Sequence, residues 1–194
     1  MKKKQAKGKR HSFLHLLGRL WGVFPFGVVL LCIAAVLIWQ AAAGAALRSV
    51  PRQILYWCLI LSVFTLLLWV LLRLHQWIRT KGGVLRVVYG VFCAVLSLGA
   101  VVSIPFLLFI GVFSYTPEHV VERGGITMVA CVQSWLDTHV TYYPYQNMLF
   151  RGADSCGYAY YGSGSFDPFE TGGEPKSWAF YDLDGNLIEQ GGEG

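Results

Sequence analysis

All eleven acidic residues of this chain lie at or beyond Glu118, while thirteen of its sixteen Lys and Arg residues lie at or before Arg86. Between the two groups runs an apolar stretch, Val84 to Tyr115, entered through Arg86 and left at Thr116-Pro117, the last of three such stretches. A lipid bilayer is the solvent that accounts for this sorting, because charge flanking an apolar segment decides which side of the membrane it stays on. With 194 residues, 55% of them hydrophobic, and a mean hydropathy of +0.48, the chain is too apolar for an ordinary soluble domain. It leaves room for one compact module beside its spans. The net charge of +5 averages two opposite halves, and the basic residues flank apolar spans instead of lining a polar face, which argues against nucleic acid as a partner.

The sequence therefore predicts a helical membrane protein with three transmembrane helices and a small, mainly antiparallel β domain at its C-terminal end. The boundaries read as a basic segment over 1–21, a transmembrane region over 22–115 with spans near 22–47, 54–74 and 84–115, and a β-rich domain over 116–194. Five lysines and Arg10 in the first ten residues suit an anionic leaflet. His11 to Leu20 has the spacing of a short amphipathic surface helix. The alanine-rich end of the first span, Gln40 to Ala46, reads as the small face of an uncleaved anchor, and Arg48 to Arg52 as a tight connection broken by Pro51. Tyr56, Trp57, Trp69 and Trp77 suit aromatic belts at the two interfaces. Gly90 with Ala94, and Gly99 with Ser103, are small residues four apart that permit close helix contact, within the chain first and as an oligomer seam second. About eleven basic residues flank the spans on the side of the N-terminus, so the positive-inside rule predicts a multi-pass plasma-membrane protein with its N-terminus cytoplasmic and its C-terminal domain extracytoplasmic. No Asp, Glu or Lys falls in the middle of a span, which argues against a transporter.

In the C-terminal domain, Glu118–Arg123 and Ile126–Gln133 read as strands around Gly124-Gly125, a pair that supplies the positive φ of a tight hairpin. Val129 to Val140 also has helical spacing, but Thr, Val and Tyr through Tyr143 favour strand. Tyr158–Gly162 reads as a further strand. Trp178–Asp182 and Leu187–Glu189 read as a hairpin around Leu183-Asp-Gly-Asn186. Asp182, Asp184 and Asn186 alternate like the start of a calcium loop, yet Gly185 is fourth where an EF-hand needs its glycine sixth and no bidentate glutamate follows, so no metal and no cofactor is expected.

Cys131 and Cys156 are the candidate disulfide of this domain, a bridge that would contribute about 3 kcal/mol to a small core. Cys32, Cys58 and Cys93 lie within spans as packing residues. For catalysis, His119 or His139 would have to meet Asp137, and no nucleophile motif accompanies them, so no enzymatic activity is expected. Tyr142, Tyr143, Tyr145, Tyr160 and Tyr161, with Tyr158 between them, are candidate binding residues that could stack on wall sugars or a partner, with a β core as their alternative use.

Four segments, Glu118-His-Val-Val-Glu122, Met128-Val-Ala130, Val140-Thr-Tyr-Tyr143 and Tyr160-Tyr-Gly-Ser-Gly-Ser-Phe-Asp-Pro-Phe169, resemble an uncharacterised group of small Firmicutes-type membrane proteins with three spans and a C-terminal outer domain. The resemblance implies a bacterial envelope protein, names no activity, and brings no paired cysteines with it. The expected function is an integral membrane protein that presents an acidic, Tyr-rich outer domain for contact with a partner, cell-wall component or ligand. The alternatives are an accessory or immunity-type subunit acting on another membrane protein through its helices, and an outer-domain hydrolase.

Overall fold

The computed structural model describes residues 21–79, 83–182 and 185–192. The basic segment and the amphipathic stretch expected over His11 to Leu20 fall outside them, apart from Trp21. Among the described residues, three helices are long and apolar enough to cross a membrane: α1 (Val23–Ala43), α2 (Ser49–Ile78) and α3 (Gly83–Phe113). At about 1.5 Å per residue, the 30 and 31 residues of α2 and α3 exceed a hydrocarbon core of about 30 Å. By contacts the chain forms two units, one of residues up to Ala34 with Leu55–Val112, the other of Ala35–Ile54 with Phe113 onward.

In the first unit α2 and α3 run antiparallel and meet through polar and close apolar contacts. Tyr56 Oη donates to the Leu107 carbonyl (3.2 Å), Tyr89 Oη donates to the Leu71 carbonyl (2.8 Å), and His75 stacks near Tyr89. The Trp57 ring lies so close to Gly111 that a Cβ there would fall 2.4 Å from it. Tyr56 and Trp57 thus turn toward the last turns of α3. Gly90 and Gly99 face open space, so the intramolecular packing expected of their small-residue pairs is not made there, and close approaches occur at Gly111 against Trp57 and at Gly22 against Trp69. Pro105 stays inside an unbroken α3.

The second unit, the head, is a β domain. Strands β2 (Glu118–Arg123), β3 (Ile126–Ser134), β4 (Asp137–Pro144), β6 (Gly157–Ser163), β7 (Ser177–Tyr181) and β8 (Leu187–Gly192) form one antiparallel sheet, paired in that order. Gly124 and Gly125, at φ +59° and +78°, make the β2–β3 turn. In the β7–β8 turn the Asp182 carboxylate accepts from the Asn186 backbone and side-chain amides, so these two are turn groups as expected, while Leu183 and Asp184 lie outside the described residues. The sheet curls until its two edges approach, and Arg123 on β2 reaches Glu189 on β8 at 3.2 and 3.3 Å. Met128, Ala130, Val132, Val140, Tyr142, Cys156, Ala159 and Phe180 fill the interior of the curl. Tyr142 meets Phe180 edge-on at 4.8 Å, the geometry that aligns aromatic quadrupoles. A four-residue helix, α4 (Pro168–Thr171), begins at Asp167, whose carboxylate caps it.

The first two spans differ from the sequence reading, the second running over Ser49–Ile78 where 54–74 was expected. The first span was expected to run to Leu47, but Gly44 adopts φ +56° and ends α1 at Ala43. Ala45–Leu47 becomes β1, paired with β5 (Phe150–Gly152) of the head. Pro51 was expected to break the chain, and instead sits in the first turn of α2, where its missing N–H has no intrahelical acceptor to lose.

Candidate functional site

The segment linking α1 to α2 carries Arg48 into the head, with Arg52 in the first turns of α2, and the head carries its first glutamate to meet Arg48. Glu118 pairs with Cys131 across β2–β3, which puts both side chains on the face opposite the filled interior. Glu118 Oε2 accepts from Arg48 Nε at 2.9 Å and Oε1 accepts from the Ser49 N–H at 2.8 Å, so one carboxylate neutralises a cation and caps the first turn of α2. It is a shielded pair, with the two side chains only 15% and 6% exposed. The Cys131 thiol donates weakly to Glu118 Oε1 (3.8 Å). Arg52 donates to the Ser114 carbonyl (3.2 Å).

Arg151 on β5 lies opposite Ala46 of β1 and stacks on Tyr143, its guanidinium carbon 3.4 Å from the ring centroid. Its Nε and Nη1 are shielded from solvent, as is Ser49 Oγ, and none of the three has a hydrogen-bond partner among the described residues. Arg48 neutralises the carboxylate, while Arg151 and Arg52 act on Cys131, its cross-strand neighbour. The field reaches Cys131: burial pushes its thiol up to about 11, Arg151 and Arg52 oppose that, and Glu118 adds to it. A thiol held protonated in this way is a packing group, not a nucleophile.

The expected Cys131–Cys156 bridge is absent, and both cysteines are free and buried. The reason is the period of two along a strand: Ala130 and Val132 point into the interior with Cys156, so Cys131 points out. Burial raises the Cys156 thiol as well.

The tyrosines do not form one binding surface. Tyr142 is buried in the interior, where desolvation and a hydrogen bond to Tyr161 raise its phenol, and Tyr161 packs on the same core. Tyr143 lies under Arg151 and Tyr145 under Arg48, at 5.8 Å. Tyr160 stacks with His139 at 5.0 Å on the outer face, and Tyr158 is exposed there. Alternation sends Tyr142 inward and Tyr143 outward. The five candidates thus divide into two core residues, two arginine platforms and one surface group.

The histidines also find partners that spacing did not suggest. His119 Nε2–H donates to Asp167 Oδ2 (2.8 Å) and its ring stacks on Phe169, while Asp167 Oδ1 accepts from the Phe169 N–H. This dyad fastens the Phe166–Phe169 loop to β2, and the ring has no hydroxyl or thiol partner among the described residues. His139 is exposed and Asp137 begins β4 beside Ser163. The Arg48–Glu118 pair, the Arg151 stack and the His119–Asp167 bond were not anticipated. The one available signal was that Arg48 and Arg52 stand between two apolar stretches otherwise free of charge there.

No protein-family model matches the chain, and no curated protein or solved structure matches it either.

Proposed function

We infer that this is a multi-pass plasma-membrane protein whose α1–α2 connection and C-terminal β domain together form a non-enzymatic extracytoplasmic head, acidic and tyrosine-rich, for contact with a partner, a wall component or a ligand. The observation that carries the reading is the stitching of residues 44–49 into the head. Three β1–β5 residue pairs, the Arg48 N–H to Leu149 carbonyl bond and the Glu118 carboxylate hold them there. This supports connection and head sharing one side of the bilayer, and the excess of Lys and Arg on the opposite loops favours the outside for that side. Contact falls to the head's surface because bulky side chains occupy its interior. A bacterial envelope is the setting that the sequence resemblance suggests.

The test is topological. Cysteine placed at Ser155, an exposed head position, is expected to react with a membrane-impermeant maleimide on intact cells, whereas cysteine at Ala6 reacts only after permeabilisation. The reverse pattern overturns the reading. A second reading, an accessory or immunity-type subunit acting through its helices, is favoured by α1, where no residue is buried. Capture of another membrane protein after deletion of residues 118–194 would support it.

A further inference from the structure

The connection between β3 and β4 is a place where local rules ask for Asn, Asp or Gly. Here it is Trp135-Leu136, and the two side chains are 66% and 76% exposed. The tip is firmly built. Ser165 Oγ donates to the Ser134 carbonyl (2.6 Å) and the Gly164 N–H donates to the Leu136 carbonyl (2.9 Å). A second tip precedes β5, where Met148 and Leu149 are 80% and 55% exposed. Asn147 Oδ1 accepts from the Leu149 and Phe150 N–H groups (2.8 and 2.9 Å), fixing the turn that projects them. Large apolar side chains displayed on rigid tips mark a contact surface.

The neighbours of the tips identify what they touch. The Trp135 ring is 4.8 Å from Phe113, the last residue of α3. Phe150, next after Leu149, is 6.2 Å from Trp39 in the last turns of α1. Phe113 and Trp39 are themselves exposed and end apolar helices, the depth at which amphipathic and aromatic rings settle into the headgroup boundary. Ser134 to Asp137 and Gln146 to Phe150 contain no Lys or Arg, and Asp137 is their single acid. That chemistry suits insertion into a lipid interface.

We propose that the head is a peripheral membrane-binding module as well as a tethered one, with Trp135-Leu136 and Met148-Leu149 inserted into the interfacial layer of the leaflet from which α1 and α3 emerge. The tips fix the tilt of the head on the bilayer and leave its other surfaces for partners. The inference goes beyond the reading above and holds on either side of the membrane, so its failure and a failed topology are separate results.

The experiment uses the full chain in nanodiscs of phosphatidylcholine and phosphatidylglycerol. A benzophenone amino acid replaces Leu136, Met148 or, as control, exposed Ser155, and the photoadducts are read by mass spectrometry. Lipid adducts at 136 and 148, severalfold above those at 155, are expected. Adducts to a second copy of the chain, or lipid labelling no greater than at 155, overturn the proposal. As an independent readout, amide exchange over 134–137 and 146–150 is expected to be slower in nanodiscs than in detergent, and Trp135→Ser with Leu136→Ser is expected to abolish that difference for the first tip. Equal exchange in the two media for the parent chain would overturn it.

Discussion

Glu118 accepts a 2.9 Å hydrogen bond from Arg48, seventy positions earlier in the chain, and with its second oxygen holds the first backbone N–H of the helix that Arg48 precedes. A link of this span joins the entrance of α2 to the first strand of the head. Removing one partner of a shielded pair leaves the other charged and unpaired, at a cost of about 3–5 kcal/mol. Glu118→Ala should therefore lower the unfolding free energy of the head by about that amount. Glu118→Gln, which keeps an acceptor for the Ser49 N–H, should cost less. Denaturant unfolding in detergent, followed by the far-ultraviolet β signal, checks the order; equal losses would mean that capping contributes nothing.

Arg151 predicts the opposite sign. Its Nε and Nη1 are shielded without an acceptor, while its planar face covers Tyr143. Replacing a half-buried cation whose shielded donors lack acceptors by an apolar group of similar length removes a desolvation cost. Arg151→Met should thus hold or raise stability, and Arg151→Ala, which uncovers Tyr143, should lower it. The same Met variant removes a charge that restrains the Cys131 thiol, so that thiol should titrate higher still. Maleimide reaction rates against pH read the shift.

Cys131 sets a pH dependence whose direction follows from linkage. Its folded value, about 11, lies above the ordinary thiol value of 9.0, so between those limits the unfolded chain loses a proton that the folded chain keeps. The stability contributed by the protonated, buried thiol is therefore fully present below pH 9 and is lost as pH rises toward 11. Cys156, raised by burial, adds in the same direction. Unfolding curves at increasing pH should show a decline that Cys131→Ala makes shallower, and reductant should leave the midpoint unchanged at neutral pH because the two thiols are unbridged.

What the sequence reveals and what it hides divide along the distance over which each feature is decided. Gly124-Gly125 and Asp182 to Asn186 are local, and both turns form where composition places them. The three helices follow from unbroken apolar length. Tyr142 and Tyr143 needed only the strand period to be sent to opposite faces, but the direction of the interior is set by which side Phe180 and Met128 close. Trp135-Leu136 carries no turn chemistry, so its hairpin is invisible to local rules, and an apolar turn is what a lipid-facing tip requires. Asp167 finds His119 across 48 positions, and no local spacing encodes such a meeting.

Gly44 is where a local preference and a distant partner compete most directly. Ala41 to Ala43 and Ala45-Ala46 are strong helix formers, and on propensity alone α1 would continue into them. It stops because Gly44 takes φ +56°, after which Ala45–Leu47 pairs with β5 and the Gly44 carbonyl accepts from the Ala153 N–H at 3.0 Å. A side chain at this φ costs roughly 1–2 kcal/mol, and asparagine tolerates it best. Gly44→Ala should both strain the cap and favour helix beyond it, stripping β1 from β5. Faster amide exchange at Arg48 and Ala153, whose N–H groups bond across this junction, with β3 and β4 unchanged, is the expected result. Gly44→Asn should fall between the parent and the alanine variant. If Gly44→Ala leaves both amides protected, helix propensity at this junction is too weak to compete with the β1–β5 ladder, and the end of α1 is set by the head alone.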